Sequence, residues 1–160
     1  MKGPCLKTGG RSVIVPVDQE LVDSLYKPSQ WEVTKDHQEH YCRSVYLIAK
    51  RNLRLPFMEV FDQPALQTSC ARRESSTHAP QALELLNGKL ANELAEAFAQ
   101  RLIMEAGSSH ASVIERAYLL ATGQPPASRE RELALSFLKE QPLKEFTLTM
   151  FNLNAFLYVR

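Results

Sequence analysis

The stretch APQALELLNGKLANELAEAFAQRLIMEAG, residues 79–107, decides the fold predicted for this chain. Its first half is typical of a helix that begins at Pro80, where the missing N–H is harmless, and ends at Asn87-Gly88 in a left-handed turn. Its second half has an apolar residue at every fourth position up to Leu102, before Gly107 closes the helix. These positions are Leu90, Leu94, Phe98 and Leu102. The stretch predicts two consecutive helices, the second with its leucine stripe in the core.

The chain beyond residue 107 predicts further helices of the same kind. Ser112 and Glu115 fit a capping box at the start of one helix, which ends at Gly123. Ser128 is positioned to cap the next helix. Pro142 ends that helix and separates it from the last predicted helix. Apolar residues recur at helical spacing in each segment: Ile114, Ala117, Tyr118 and Ala121, then Leu133, Ala134, Phe137 and Leu138, then Phe146, Met150, Leu153 and Leu157.

The chain before residue 79 is less regular. Residues 1–40 contain glycine and proline too often for a long helix. The segment SVIVPV, residues 12–17, is an edge strand or an extended arm, because Pro16 lacks a ladder donor. From about His40 the pattern turns helical as far as Leu55, which precedes a proline. The apolar face of this predicted helix is Tyr41, Val45, Ile48 and Ala49.

The fold class that follows is mainly α, with four to five packed helices. A helical domain is predicted over residues 41–160, preceded by an irregular N-terminal arm over residues 1–40 that holds at most a short strand. The length of 160 residues is that of about one domain, which buries roughly two thirds of its unfolded surface. No internal repeat is visible.

Composition excludes several classes of protein. Nineteen basic residues against eighteen acidic ones give a net charge of +1, which argues against a nucleic-acid partner. No apolar run approaches the ~20 residues of a membrane span, so no membrane insertion is expected. The N-terminus MKGPCLKTGG lacks the apolar centre of a secretory signal. Cys5, Cys42 and Cys70 show no disulfide framework or zinc pattern and are predicted to be unpaired.

A candidate anion site lies in the polar loop SCARRESST, residues 69–77. Arg72 and Arg73 are adjacent there, close to the amides of a helix start, and such groups bind anions well. Arg43 and Arg51 join this site, and Arg54 comes near it, if the first predicted helix packs against the loop.

The structural alternative is that these arginines pair with nearby carboxylates and pin the loop, which is commoner than a ligand site. The carboxylates in question are Glu59, Asp62 and Glu74. On this interpretation Arg43 or Arg73 contacts Asp62 or Glu59 and holds the FDQP turn, residues 61–64, against the helices.

Metal and nucleophile chemistry have weaker signals. His37, His40 and Cys42 are close in sequence, but this spacing is not that of a closed zinc site and no fourth ligand is evident. Cys70 beside an arginine pair could form a thiolate with His78 as its base, although nothing in the sequence orients the histidine. Neither a catalytic residue nor a metal ligand is therefore predicted.

Six segments occur in an order that suggests a family: GGRSV (9–13), RSVYLIAKRNLRLPFMEVFDQP (43–64), Cys70-x-x-Arg73, APQALELLN (79–87), ERAYLLATGQPP (115–126) and LNAFLYV (153–159). This order resembles the C-terminal domain of unknown function 1553 of large planctomycete-type proteins, over nearly the whole chain. The positions that match the recurrent letters of the family are Arg43, Arg51, Asp62, Cys70, Arg73, Gln81, Leu86 and Asn87. Two positions depart from it, since Cys42 replaces a second arginine and Ala79 replaces a capping threonine.

The resemblance implies a larger exported or periplasmic protein in which an upstream domain is the partner. Such proteins often carry a cytochrome-c-like module, so any haem is expected upstream and no cofactor is expected in this chain. The chain is accordingly expected to be a C-terminal piece. The family brings no established reaction.

Two functions are compatible with these observations. The first is a non-catalytic helical interaction or structural module that packs on the upstream domain, with Asp62, Glu59, Gln81 and Asn87 as structural residues. It predicts a large apolar patch on the isolated chain. The second is an accessory part of a periplasmic enzyme that acts on an anionic or sulfated polysaccharide. Arg72 and Arg73 would hold the anion in that case.

Overall fold

The computed structural model describes residues 9–64, 66–67, 69 and 79–158. Within these ranges the chain is mainly helical, as the sequence predicts, and the only β pairing is two isolated bridges. The chain divides into an N-terminal unit, Met1–Ser76, and a C-terminal unit, Thr77–Arg160. None of the helices described combines the length and apolarity needed to cross a membrane.

The N-terminal unit contains α1 (Gln19–Asp23) and α2 (Pro56–Val60). The helices of the C-terminal unit are α3 (Ala79–Asn87), α4 (Lys89–Ala106), α5 (His110–Thr122), α6 (Ser128–Glu140), α7 (Leu143–Met150) and α8 (Asn154–Leu157).

The helix pair predicted from residues 79–107 is confirmed, but its junction is built differently. Helix α3 ends at Asn87, and α4 runs to Ala106 before Gly107 at φ 74°. Gly88 is not left-handed, since its φ is −60° and its ψ is 139°. A Cβ atom at Gly88 would collide with the backbone oxygen of Glu84. Glycine is required at this junction because the backbone of α3 approaches it closely.

The buried face of α4 includes only the second half of the predicted stripe, because Leu102 is buried and Phe98 packs against the core. Ala91, Ala95 and Ala99 are buried together with Leu102, whereas Leu90 and Leu94 are exposed. We call the three alanines the alanine seam. Leu148 of α7 belongs to the same small core as the first two of them. Small side chains allow two helix backbones to approach closely. The alanine face of α4 is therefore the face that packs against α7.

The larger core of the C-terminal unit joins α4, α5, α6 and α7. Its buried members are Leu102, Val113, Ile114, Ala117, Tyr118, Ala134, Leu138, Phe146 and Met150. Most of the apolar positions predicted for these helices lie in or against this core, but Leu133 is exposed. The predicted caps were wrong, because α5 begins at His110 after Ser109, and Ala127 rather than Ser128 precedes α6. Burial of the apolar face fixes a helix more firmly than the identity of its cap.

Ion pairs on the surface connect successive helices of this unit. Glu105 of α4 accepts hydrogen bonds from Arg101 Nε and from Arg116 Nε of α5, both at 2.7 Å. Arg131 of α6 pairs with Glu115 of α5. The hydrogen bonds from Arg101 and then Arg116 lower the pKa of Glu105 below its ordinary value. The carboxylate of Glu105 is therefore stabilised in its charged form by the folded chain.

The N-terminal unit is organised around the extended segment 12–17. The Val13 N–H donates to the Tyr46 carbonyl at 2.8 Å, and the Ile48 N–H donates to the Val13 carbonyl at 2.9 Å. On its other side the Thr34 N–H donates to the Ile14 carbonyl at 2.9 Å. Segment 12–17 is thus an extended arm held by backbone hydrogen bonds on both sides.

The helix predicted from about His40 to Leu55 is not formed. Short 3₁₀ turns at Glu39–Tyr41 and Ser44–Tyr46 are followed by extended backbone. Ile48 packs against the core of this unit, but the rest of the predicted apolar face is exposed, Val45 by 73%. Leu53 instead packs with Leu25 and Trp31 in the core of this unit. Pairing with segment 12–17 and burial of Leu53 outweigh a weak local helix preference.

Candidate functional site

Two of the four predicted anion-binding residues can be located. Arg43 and Arg51 both have exposed side chains in the N-terminal unit. The Arg43 carbonyl accepts the Tyr46 N–H at 2.9 Å, and the Arg51 carbonyl accepts Gln67 Nε2 at 3.3 Å. Arg72 and Arg73 lie outside the described residues, as do Cys70, Glu74 and His78. An anion site formed by these arginines stays a prediction.

One arginine of the predicted cluster forms an ion pair with a predicted carboxylate. Arg54 Nη1 lies 3.5 Å from Glu59 Oε1, and the Arg54 side chain is about one-third exposed. The pair links the extended segment before Pro56 to helix α2. Such a partly exposed pair contributes at most about 1 kcal/mol to folding. The predicted contact of Arg43 or Arg73 with Asp62 or Glu59 stays a prediction.

Asp62 ends helix α2 in the left-handed conformation, with a φ of 59°. Its N–H donates to the Glu59 carbonyl at 3.2 Å, and the next N–H, of Gln63, donates to the Met58 carbonyl at 3.0 Å. These two bonds form a Schellman motif, in which glycine is usual and aspartate is tolerated. The FDQP turn therefore reverses the chain through its own backbone geometry.

Gln81 and Asn87 lie on α3 in the C-terminal unit, one half-buried in the first turn and the other at the end. Asn92 was not predicted to matter, yet its Nδ2 lies 3.3 Å from the Leu86 carbonyl and 3.2 Å from that of Gly88. Its amide thus donates hydrogen bonds to the carbonyls at the junction of α3 and α4. Only the break at Gly88 makes those carbonyls available, so the sequence pattern did not reveal this contact.

The histidines near the N-terminal unit's turns contact each other. The rings of His37 and His40 lie 5.1 Å apart in an edge-to-face arrangement. His40 Nε2 lies 2.8 Å from the Thr34 carbonyl, so this nitrogen is a hydrogen-bond donor there. Cys42 is half-buried and is not part of a disulfide. Among the described residues no group of three potential ligands is arranged to hold a metal ion.

A cleft in the N-terminal unit was not predicted from the sequence. It has a volume of about 250 Å³ and is lined by Leu25, Tyr26, Lys27, Gln30, Lys50 and Asn52. Lys50 Nζ donates to the Gln30 carbonyl at 3.1 Å and lies 5.4 Å from the centre of the Trp31 ring. We call it the Lys27–Lys50 cleft. Its two walls come from segments about twenty residues apart, and no local pattern in the sequence joins them.

The C-terminal unit has a concentration of exposed leucines on α3 and the start of α4. Leu83 is 61% exposed, and Leu86, Leu90 and Leu94 are each exposed by about two fifths. Leu83 and Leu86 are three residues apart on α3, and Leu90 and Leu94 are four apart on α4, so each pair shares a helix face. We call these four residues the leucine surface.

Comparison with known proteins identifies one family. The model of PSD1, described as a protein of unknown function (DUF1553), matches residues 5–138. No curated protein and no solved structure matches the chain. The family match covers most of the chain and includes the candidate arginines, the FDQP turn and helices α3 to α5. This protein therefore belongs to the DUF1553 family of proteins of unknown function.

Proposed function

We propose that this chain is a non-catalytic helical interaction module that packs against an upstream domain of a larger exported protein. The observation that supports this proposal is the leucine surface of α3 and α4. Scattered exposed leucines are ordinary on protein surfaces, whereas a contiguous apolar patch marks an interface, and our proposal is that these four leucines form such a patch.

The leucine surface lies on a firmly packed support. Leu85 of α3 is buried although Leu83 and Leu86 are exposed, and the alanine seam of α4 is buried although Leu90 and Leu94 are exposed. The exposed side chains are therefore held by helices that each have a packed face. A preorganised apolar surface loses less conformational entropy on binding than a mobile one.

The chemistry of this surface favours a protein partner with an apolar face. Glu84 and Glu93 lie on the same helices beside the leucines, and Lys89 lies at the start of α4. An apolar centre with charged residues at its margin is the usual anatomy of a protein interface.

The test is calorimetric titration of the 160-residue chain with the upstream domain of the same protein, expressed separately. The double variant Leu83→Ser with Leu86→Ser should bind at least about tenfold more weakly, because truncating two interface leucines removes about 1.4 kcal/mol or more. Circular dichroism checks that the variant remains folded.

The matched control is Leu119→Ser with Leu133→Ser, which changes two exposed leucines on α5 and α6. This variant should bind the upstream domain as tightly as the unchanged chain. Equal weakening by both double variants, or no binding by the unchanged chain, would refute the proposal.

A further inference from the structure

The Lys27–Lys50 cleft has the features of a site for a small anion. Lys27 and Lys50 line one cleft together with Gln30, Asn52 and the exposed Tyr26. Among the described residues no carboxylate forms an ion pair with either lysine. Surface lysines usually extend into open solvent, so two lysines that line one cleft concentrate positive charge there.

Lys50 is held in place before any ligand arrives. Its ammonium donates to the Gln30 carbonyl and lies over the face of Trp31, and the side chain is half-buried. Trp31 is itself fixed, because its ring is buried and its Nε1 donates to the Val15 carbonyl at 3.1 Å. An ammonium has three donors, so at least one remains available to an anion. Because folding already fixes the Lys50 side chain, it loses little further conformational entropy when an anion binds.

The dimensions and lining of the cleft limit the size and type of the ligand. A volume of about 250 Å³ is below the ~300–1,000 Å³ of sites for drug-sized molecules. A ligand of a single ring fits that space. The amides of Gln30 and Asn52 can donate to and accept from hydroxyl groups, and Tyr26, which is 92% exposed, offers a ring face at the rim.

We propose that the Lys27–Lys50 cleft binds a hydroxylated, single-ring organic anion, whose charged group lies between the two ammonium groups. Lysine acts as a point charge and does not select a planar carboxylate over a tetrahedral anion, so the charged group can be carboxylate or sulfate. This inference is independent of the leucine surface, which lies on the other unit.

Trp31 provides a reporter within the chain, since it is the single tryptophan. An anion at Lys50 changes the electric field at the adjacent ring, so saturable changes in tryptophan emission follow binding. The probe is glucuronate, with glucose as the neutral analogue and acetate as the charge without the ring. Glucuronate should reach half-saturation on the order of 1 mM, and both analogues should be at least about tenfold weaker.

Two lysine variants locate the site, and a third serves as control. Lys50→Gln and Lys27→Gln should each weaken glucuronate binding by about tenfold, measured by calorimetry because Lys50→Gln also alters the reporter. Lys35→Gln removes an exposed lysine of the same unit that does not line the cleft, and binding should be unchanged. Glucose 6-sulfate in place of glucuronate tests the tetrahedral anion, and it should bind within about threefold of the carboxylate.

The proposal fails if none of the anions saturates below about 10 mM, or if glucose or acetate binds as tightly as glucuronate. It also fails if Lys27→Gln binds glucuronate normally or if Lys35→Gln weakens binding as much. Lys27 is exposed and makes no contact in the core, so its substitution does not threaten the fold.

Discussion

The hydroxyl of Thr147 on α7 lies 2.8 Å from the carbonyl oxygen of Ala95 on α4, although 52 residues separate them in the chain. Thr147 is fully buried, and its hydroxyl also lies 2.8 Å from the Lys144 carbonyl of its own helix. Because Ala95 is the middle residue of the alanine seam, the contact sets the position of α7 along α4. A buried hydroxyl is tolerated only when such a partner is present.

The first prediction concerns this hydroxyl. Thr147→Val should lower the free energy of unfolding by about 1 kcal/mol, because it removes a buried hydrogen bond and keeps the shape. Thr149→Val is the control, since Thr149 is exposed and its hydroxyl bonds only to the Phe146 carbonyl at 2.7 Å. Urea unfolding of the C-terminal unit should show a change below about 0.5 kcal/mol for the control. Equal effects of the two variants would contradict the proposed role of the buried contact.

The second prediction tests which face of α4 is inside. Ala95→Leu should destabilise the chain by about 1–3 kcal/mol, because Ala95 is fully buried against α7 and has no space for a larger side chain. Leu94→Ala should change stability by less than about 1 kcal/mol, because Leu94 is substantially exposed. The opposite order in thermal or urea unfolding would mean that Leu94 rather than Ala95 faces the core.

The third prediction concerns the pH dependence of stability. The folded chain lowers the pKa of Glu105 through hydrogen bonds from Arg101 and then Arg116. A lowered pKa means that this group stabilises the fold above its ordinary pKa of 4.5 and loses that contribution as the pH falls through the folded value. Glu105→Gln should therefore reduce the urea midpoint at neutral pH, and the difference should shrink on acidification.

Glu93→Gln is the matched control for Glu105, because Glu93 lies on the same helix and is exposed. Its urea midpoint should follow that of the unchanged chain across the pH range. A difference between Glu105→Gln and the unchanged chain that grows on acidification would contradict the assignment.

The fourth prediction separates backbone from charge at Asp62. Asp62→Gly should be more stable than Asp62→Ala by about 1 kcal/mol, since both lack the carboxylate and only glycine favours the left-handed φ of 59°. Urea unfolding of the two variants makes the comparison. If Asp62→Ala were the more stable of the two, residue 62 would have left the left-handed conformation, and the prediction would be wrong.

Asp62→Asn then tests the carboxylate alone, because asparagine also tolerates this conformation. Loss of a buried arginine partner would cost about 3–5 kcal/mol, and loss of an exposed one at most about 1 kcal/mol. An unchanged melting temperature would contradict a structural role for the charge of Asp62.

The sequence alone was sufficient for most helices of the C-terminal unit, although the last predicted helix is divided into α7 and α8 by extended backbone at Leu153. Proline at the second position of α3, glycine after α4 and α5, and apolar residues at helical spacing are local signals that constrain the backbone directly. Helix bounds from these signals agree with the structure closely. Membership of the DUF1553 family was also evident from the order of motifs along the chain, and the family match confirms it.

The tertiary structure alone decided which faces are buried and which distant residues meet. At the seam of α4 the buried residues are alanines and not leucines, because Thr147 and Leu148 of α7 approach the helix closely and leave space only for small side chains. The backbone at Leu47 and Ile48 is extended because Tyr46 and Ile48 exchange hydrogen bonds with Val13, and a partner more than thirty residues away is invisible to local periodicity. The Lys27–Lys50 cleft likewise exists only where two segments converge. Local sequence fixes backbone preference, whereas burial and pairing are properties of contacts between segments and appear only when the chain has folded.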